Sequence, residues 1–216
     1  MCNINLKEKL KNTYFVIGTA YAGKSTLVKN LAKKHNGIAC EENYHDQLEG
    51  TWEDEEFPNL SYTKNLTDWH DFIRRTPDEY EKWIDGVSKE CEILELRILK
   101  DLVKGDKPVF VDTNISIETL KEISDENHIV VMLADPDISV NLFFNRPDKE
   151  KQFLYKLILE EENPQQALEN FRHCLERINS QERYDMYLKC GFPVIFRDEN
   201  RTEAETVQLA EKIFGL

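Results

Sequence analysis

The sequence predicts an α/β protein in which a five-stranded parallel sheet lies between layers of helices, a three-layer α/β/α arrangement with helical insertions. Three observations predict this fold class. Five short apolar runs are typical of buried strands, amphipathic stretches of helical spacing separate them, and several of the runs end in polar residues. Because 216 residues suffice for one such domain, residues 1–216 are expected to form a single domain with inserted segments.

The predicted strands alternate with predicted helices along the whole chain. The strands are residues 14–17, 38–40, 108–112, 129–134 and 192–196. A helix is expected directly after the first strand, and Gly37 is the expected left-handed residue beyond its end. A long helix is expected to begin with Thr76 as its N-cap and Pro77 in its first turn, and to close near Gly105. A helical segment over residues 163–189 and a terminal helix complete the pattern.

The most specific motif follows the first strand and fits the pattern G-x-x-x-x-G-K-[ST], which is typical of loops that bind nucleotide phosphates. Its glycines allow a tight turn whose N–H groups point inward, next to the positive end of the following helix. Lys24 would reach the β- and γ-phosphates of the nucleotide, and the Ser25 hydroxyl would ligate Mg²⁺. The alternative is a glycine-containing turn that merely precedes a helix. The candidate nucleotide-binding residues are Gly18, Thr19, Ala20, Tyr21, Ala22, Gly23, Lys24, Ser25 and Thr26.

Composition and charge restrict the partners that we expect. The formal net charge is −13, which disfavours a nucleic-acid backbone as the main partner because no compensating basic face is evident. No signal peptide or membrane span is predicted, and the five cysteines are scattered without metal-ligand spacing. We therefore expect reduced thiols in a cytoplasmic protein, with Cys91 as a buried small residue on an apolar helix face.

Acidic residues follow two of the predicted strands, where an open parallel sheet binds its ligands. Glu41, Glu42 and Asp46 come after the second strand and would face the same crevice as the loop at residues 18–26, although a solvated acidic loop is equally compatible with this composition. Asp112 ends the third strand and is a candidate Mg²⁺ ligand together with Ser25, unless it serves only as a cap or turn residue.

Two segments interrupt the alternation of strands and helices. Residues 43–75 mix aromatic and charged side chains and are too long for a plain connection, so they are expected either to shape an acceptor pocket or to form a packing flap. Residues 145–189 contain a charged stretch over residues 145–151 and a helical segment with several Arg and Lys residues. Within them, Arg146, Lys149 and Lys151 are candidate cations for a nucleotide phosphate, unless this stretch is a solvated connection.

The motifs also separate classes of nucleotide-binding protein. No N-K-x-D sequence is present and no Asp stands three residues before any glycine, so a GTPase is disfavoured. The chain resembles the P-loop NTPases of the nucleoside monophosphate kinase, shikimate kinase and gluconate kinase group. This resemblance implies that Glu41, Glu42 and Asp46 handle the phosphoryl acceptor. It also implies that Arg146 lies in a basic lid and that residues 197–202 lie beside the adenine.

The expected function is therefore an ATP-dependent phosphotransferase that requires Mg²⁺ and transfers the γ-phosphate to a small-molecule or nucleotide acceptor. The alternative is a regulatory protein that uses ATP as a switch. The sequence leaves the acceptor and the oligomeric state open.

Overall fold

A computed structural model of the chain describes residues 3–145 and 148–216. The described residues form a five-stranded parallel sheet with strand order β2-β3-β1-β4-β5. The strands are β1 Thr13–Gly18, β2 Ile38–Cys40, β3 Val109–Asp112, β4 Ile129–Leu133 and β5 Val194–Phe196. Each lies at one of the five predicted runs, so the prediction of an α/β fold with a parallel sheet is confirmed.

Helices and short turns connect these strands. The helices within the described ranges are α1 Asn3–Lys9, α2 Lys24–Lys34, α3 Pro58–Ser61, α4 His70–Ile73, α5 Pro77–Leu102, α6 Ile117–Ile123, α7 Pro136–Leu142, α8 Lys149–Leu159, α9 Pro164–Ile178, α10 Gln181–Leu188 and α11 Glu203–Phe214. Three 3₁₀ turns in the same ranges are Tyr44–Leu48, Glu126–His128 and Phe143–Asn145. None of the helices in these ranges has the length and apolar composition needed to cross a membrane.

Alternation along β1 explains how the sheet is covered. Phe15 and Ile17 belong to a buried cluster that includes residues of α5 and α6, whereas Tyr14 and Val16 belong to a cluster that includes residues of α2 and α11. Successive side chains of a strand point to opposite faces, so helices cover both faces of the sheet.

The strand order places the end of β1 where a ligand site is expected. β1 lies between β3 and β4, and the register pairs Val16 with Asp112 and Gly18 with Met132. The carboxyl ends of these three strands therefore meet at one edge. The strands that follow β1 are placed on both of its sides, with β3 on one side and β4 on the other. In open parallel sheets, the crevice at such a point is the usual ligand-binding position. The loop after β1 thus begins at this crevice.

The long helix α5 connects the sheet to a second, aromatic core. It begins with the expected cap, since Thr76 and Glu79 form a reciprocal capping box, and Pro77 occupies its first turn. Leu99 near its end packs in the core of the sheet, whereas Tyr80 near its start packs against Phe171 of α9 with ring centroids 5.7 Å apart. The second core contains buried residues from the segments 43–75 and 145–189. Residues 43–75 and 145–189, which interrupt the alternation of strands and helices, thus pack together.

Two local expectations were wrong. The left-handed residue after α2 is Asn36, with φ of 51°, rather than Gly37. Gly37 is needed for a different reason, because a Cβ on it would lie 2.6 Å from the Pro108 carbonyl oxygen. The segment 163–189 is also two helices rather than one, because the Ser180 side chain caps a new helix by accepting a hydrogen bond from the Arg183 N–H.

The replacement Gly37→Ala should lower the free energy of unfolding by about 1–3 kcal/mol, because the added methyl group would overpack the contact with Pro108. Gly105→Ala is the matched control, since no atom lies within 4 Å of its Cβ position. It should change stability by no more than about 0.5 kcal/mol. Urea unfolding of both variants measures the difference, and equal stabilities would contradict the close approach at Gly37.

Candidate functional site

The loop after β1 has a backbone that requires both motif glycines. Gly18 has φ of 128° and Gly23 has φ of 93°, values that side chains rarely adopt. A Cβ on Gly18 would lie 1.9 Å from the Met132 carbonyl oxygen, so the end of β1 can pass β4 only with glycine. Gly23 is the N-cap residue of α2, so this helix begins directly after the loop.

Side chains fasten the loop to the segment that follows β4. The Thr19 hydroxyl accepts a hydrogen bond from the Ala134 N–H at 2.7 Å. Ser139 of α7 donates to the Ala20 carbonyl at 3.3 Å. These contacts fix two adjacent residues near the start of the loop, Thr19 and Ala20, relative to the segment after β4.

Three side chains of the motif and of β3 converge at the mouth of the loop. The Ser25 hydroxyl donates to Asp112 Oδ2 at 2.7 Å, and Lys24 Nζ lies 3.9 Å from Asp112 Oδ1. Lys24 also donates to the Thr19 carbonyl at 3.1 Å, across the loop. The sequence predicted these three residues for one site, and the structure brings them together.

Burial determines the charge properties of Asp112. The side chain is 5% exposed, and this desolvation raises the pKa of the carboxyl group above its ordinary value. Lys24 and the Ser25 hydrogen bond act in the opposite direction, while Glu42 and Glu95 raise the pKa further. A cation beside Asp112 would therefore relieve an unfavourable buried charge.

The donor set fits a hard divalent cation. Ser25 and Asp112 offer a hydroxyl and a carboxylate oxygen, the ligand types that Mg²⁺ prefers. In the described part of the chain, no group of three or more His, Cys, Asp or Glu side chains could hold a metal ion. An ion at Ser25 and Asp112 would thus depend on further ligands such as phosphate oxygens and water.

A cleft of about 590 Å³ opens from the loop. Glu42 lines it, as do Lys24, Ser25 and Asp112. Glu41 instead pairs with Lys29 on the outer side of α2 at 3.1 Å, and the Asp46 side chain is 69% exposed beside His45. Of the three predicted acceptor carboxylates, Glu42 is the one that lines this cleft.

The structure describes two of the three cations of the predicted lid segment, Lys149 and Lys151. Arg146, the predicted lid residue, lies outside the described residues. Lys149 is exposed at the start of α8, whereas Lys151 lines the cleft, with its Nζ 5.6 Å from the centroid of the Tyr21 ring. Lys151 therefore adds a positive charge near the loop.

A buried polar network behind the cleft was not predicted. Glu95 of α5 is fully buried and accepts hydrogen bonds from the Thr113 hydroxyl and from the Asn114 backbone and side chain. His45 Nδ1 lies 3.3 Å from Glu95, and His45 Nε2 lies 3.3 Å from Cys91 Sγ. Glu95 thus joins the turn after β3 to the 3₁₀ turn after β2. In the sequence, the only indication of a buried role for Glu95 was its position between the apolar helix residues Leu94 and Ile98.

Cys91 is buried, as expected. Burial first and the Glu95 carboxylate second raise the pKa of its thiol to about 12. Its thiol therefore stays protonated at neutral pH, which fits a packing role rather than a nucleophile.

A second cavity of about 320 Å³ lies on the other side of the loop. Its lining includes Tyr21, Gly23 and Thr26 of the loop region, and Phe196 and Arg197 at the end of β5. Arg197 also donates to the Tyr21 carbonyl. The turn that was predicted to lie beside an adenine therefore adjoins the loop.

Comparison of the chain with protein-family models, with curated proteins and with solved structures found no match.

The replacement Asp112→Asn should raise the free energy of unfolding at neutral pH. The pKa of Asp112 is higher in the folded protein than in the unfolded chain. The free energy of unfolding therefore falls as the pH rises from the unfolded pKa through the folded pKa, and it stays lower above that range. The asparagine amide does not ionise, so the replacement removes this loss of stability.

The gain should shrink as the pH falls toward about 3.9, the ordinary pKa of aspartate. Thermal unfolding of both proteins across this pH range measures the effect. The stability difference between Asp112→Asn and the unchanged protein should be larger at pH 7 than at pH 4. A smaller difference at pH 7 would contradict the raised pKa.

Proposed function

We propose that the chain is an ATP-dependent phosphotransferase of the P-loop kinase type, with a three-layer α/β/α fold. The observation that carries this proposal is the contact of Ser25 and the approach of Lys24 to one buried carboxylate, Asp112, at the end of the adjacent strand. A turn that merely precedes a helix would not need these three side chains together. The strained glycines of the loop give independent support, because they allow its backbone to surround an anion.

The chain's own residues would bind and orient the phosphates. The N–H groups at the start of α2 supply partial positive charge, and Lys24 adds a full charge that would act on the β- and γ-phosphates. Mg²⁺, when bound, would neutralise phosphate charge, and Ser25 with Asp112 would hold it. Little covalent assistance is available in phosphoryl transfer, so this positioning would supply much of the rate.

The cavity between the loop and the end of β5 is the proposed position of the adenine. Phe196 is 49% exposed there, and Arg197 lies beside it. An exposed aromatic ring and a guanidinium both offer flat surfaces on which a base can stack. This position would leave the larger cleft, on the other side of the loop, for the phosphoryl acceptor.

Glu42 is the proposed residue that accepts or orients the proton of the acceptor hydroxyl. It lines the cleft, and its charge influences Asp112. Glu41, another of the three candidates from the sequence, pairs with Lys29 instead. Arg146 as a lid residue stays a prediction, and the approach of Lys151 to the loop supports a cationic contribution from the same segment.

The replacement Lys24→Ala should lower Mg²⁺-dependent ATP turnover by at least about a hundredfold, because a preorganised positive charge on the phosphates is lost. Lys29→Ala is the matched control on the same helix, since Lys29 is exposed and pairs with Glu41. Steady-state measurement of phosphate transfer or release compares the two. Unchanged turnover in Lys24→Ala would contradict the proposed function.

The replacement Glu42→Gln should lower kcat with the true acceptor by on the order of a hundredfold, while ATP affinity changes little. Glu41→Gln should leave both unchanged because Glu41 faces Lys29. Initial rates at saturating ATP measure the effect. If Glu41→Gln proves the slower enzyme, the assignment of the two carboxylates is reversed.

A further inference from the structure

The part of the cleft farther from the loop is formed by α5 and α10. Ser88 of α5 lines it, together with Arg183, Tyr184 and Tyr187 of α10. Asn114, which follows β3, lies in the same lining. We call this the acceptor half of the cleft. These hydroxyl and amide groups share the lining with apolar side chains of α5, α9 and α10, namely Ile84, Leu175, Ile178 and Met186. Arg183 is the cation that α10 contributes.

Arg183 is already engaged by carboxylates. Its guanidinium donates to Glu81 at 3.1 Å and to Asp85 at 2.7 Å, and both acids lie on α5. Arg177 of α9 donates a hydrogen bond to the other carboxylate oxygen of Glu81 and a second one to Asp78. Three carboxylates thus face two guanidinium groups along this contact. The positive charge of Arg183 holds α10 against α5 and is balanced there.

Two further carboxylates act on the acceptor half. Glu42 lines the cleft directly, and Glu95 lies fully buried behind Asn114, to which it is hydrogen-bonded. A charge in a low-dielectric surrounding acts more strongly than one in water. The acceptor half therefore contains carboxylates and a guanidinium that is already paired, whereas the cations Lys24 and Lys151 lie at the loop end of the cleft.

We propose, on the basis of the phosphotransferase function proposed above, that the acceptor is a polyhydroxyl compound without an anionic group, uncharged or amine-bearing. The hydroxyl and amide groups of the lining match such a compound by hydrogen bonding. A phosphate or carboxylate on the acceptor would meet Glu42 and find Arg183 neutralised. The nucleoside, sugar or amino sugar is thus the substrate, and its phosphorylated or oxidised counterpart is rejected.

The test uses matched pairs of compounds with the full chain, Mg²⁺ and a non-hydrolysable ATP analogue. Each pair consists of an uncharged or amine-bearing compound and its anionic counterpart: nucleoside and nucleoside monophosphate, sugar and sugar acid, amino sugar and amino sugar phosphate. Calorimetry should show that the strongest binders lack an anionic group and exceed their counterparts by at least about tenfold in affinity. Stronger binding of the anionic members, or no binding of any uncharged or amine-bearing member, would overturn the proposal.

The same titration separates this inference from the function on which it depends. If the ATP analogue itself does not bind, the phosphotransferase proposal fails. If the analogue binds and only anionic compounds follow it, the phosphotransferase proposal stands and the inference about the acceptor fails.

Variants of the contact between α5 and α10 test the cause. The double variant Glu81→Gln with Asp85→Asn releases Arg183 and should shift the preference toward the anionic member of each pair by at least about tenfold. Asp101→Asn is the control, because Asp101 lies near the exposed end of α5 and pairs with Lys104. An unchanged preference in the double variant would contradict the proposal.

Arg183→Gln gives a second test that does not depend on releasing the guanidinium. The preference for compounds without an anionic group should persist in this variant. Loss of acceptor binding that Arg183→Lys restores would show that Arg183 recognises an anion, and would overturn the proposal. Circular dichroism of each variant shows whether its helices are retained.

Discussion

Carboxylates of the helix α5 fix the segments that surround the cleft. Glu95 accepts hydrogen bonds from Asn114 after β3, and Glu90 accepts them from the backbone and side chain of Asn59 at the start of α3. Glu92 accepts from the N–H of Ser116, which caps α6. A buried carboxylate that loses its partner costs several kcal/mol, so each of these segments has one strongly preferred position. Among these segments, the turn after β3 contributes Asn114 to the lining of the cleft, so α5 fixes that part of its wall.

The same burial prepares the site for charged ligands. Burial raises the pKa of Asp112, and the nearby Lys24 and the hydrogen bond from Ser25 oppose part of this effect. Such a group gains most when a cation approaches it, and Lys24 gains most when phosphate oxygens replace the Thr19 carbonyl as its partner. The proposed nucleotide and metal ion would therefore replace these internal contacts of Lys24 and Asp112 with contacts to phosphate oxygens and to Mg²⁺.

The strands and the loop were predictable because their signals are local. A continuous apolar run bounded by polar residues predicts a buried strand, and G-x-x-x-x-G-K-[ST] between a strand and a helix predicts the loop. Contacts between distant segments carried no such signal. Glu41 and Glu42 are adjacent in the chain, so the sequence could not tell which faces the cleft. Likewise, Glu95 looked like an ordinary polar helix position until its partners, far away in sequence, were placed around it.

The central claim is that residues 18–26 bind the phosphates of ATP. Hydrogen exchange of the backbone amides, with and without a non-hydrolysable ATP analogue and Mg²⁺, tests it most directly. The account predicts saturable binding and exchange that is slowed by at least about tenfold in residues 18–26, because these N–H groups would donate to phosphate oxygens. An absence of binding, or binding that leaves exchange in residues 18–26 unchanged, would contradict it.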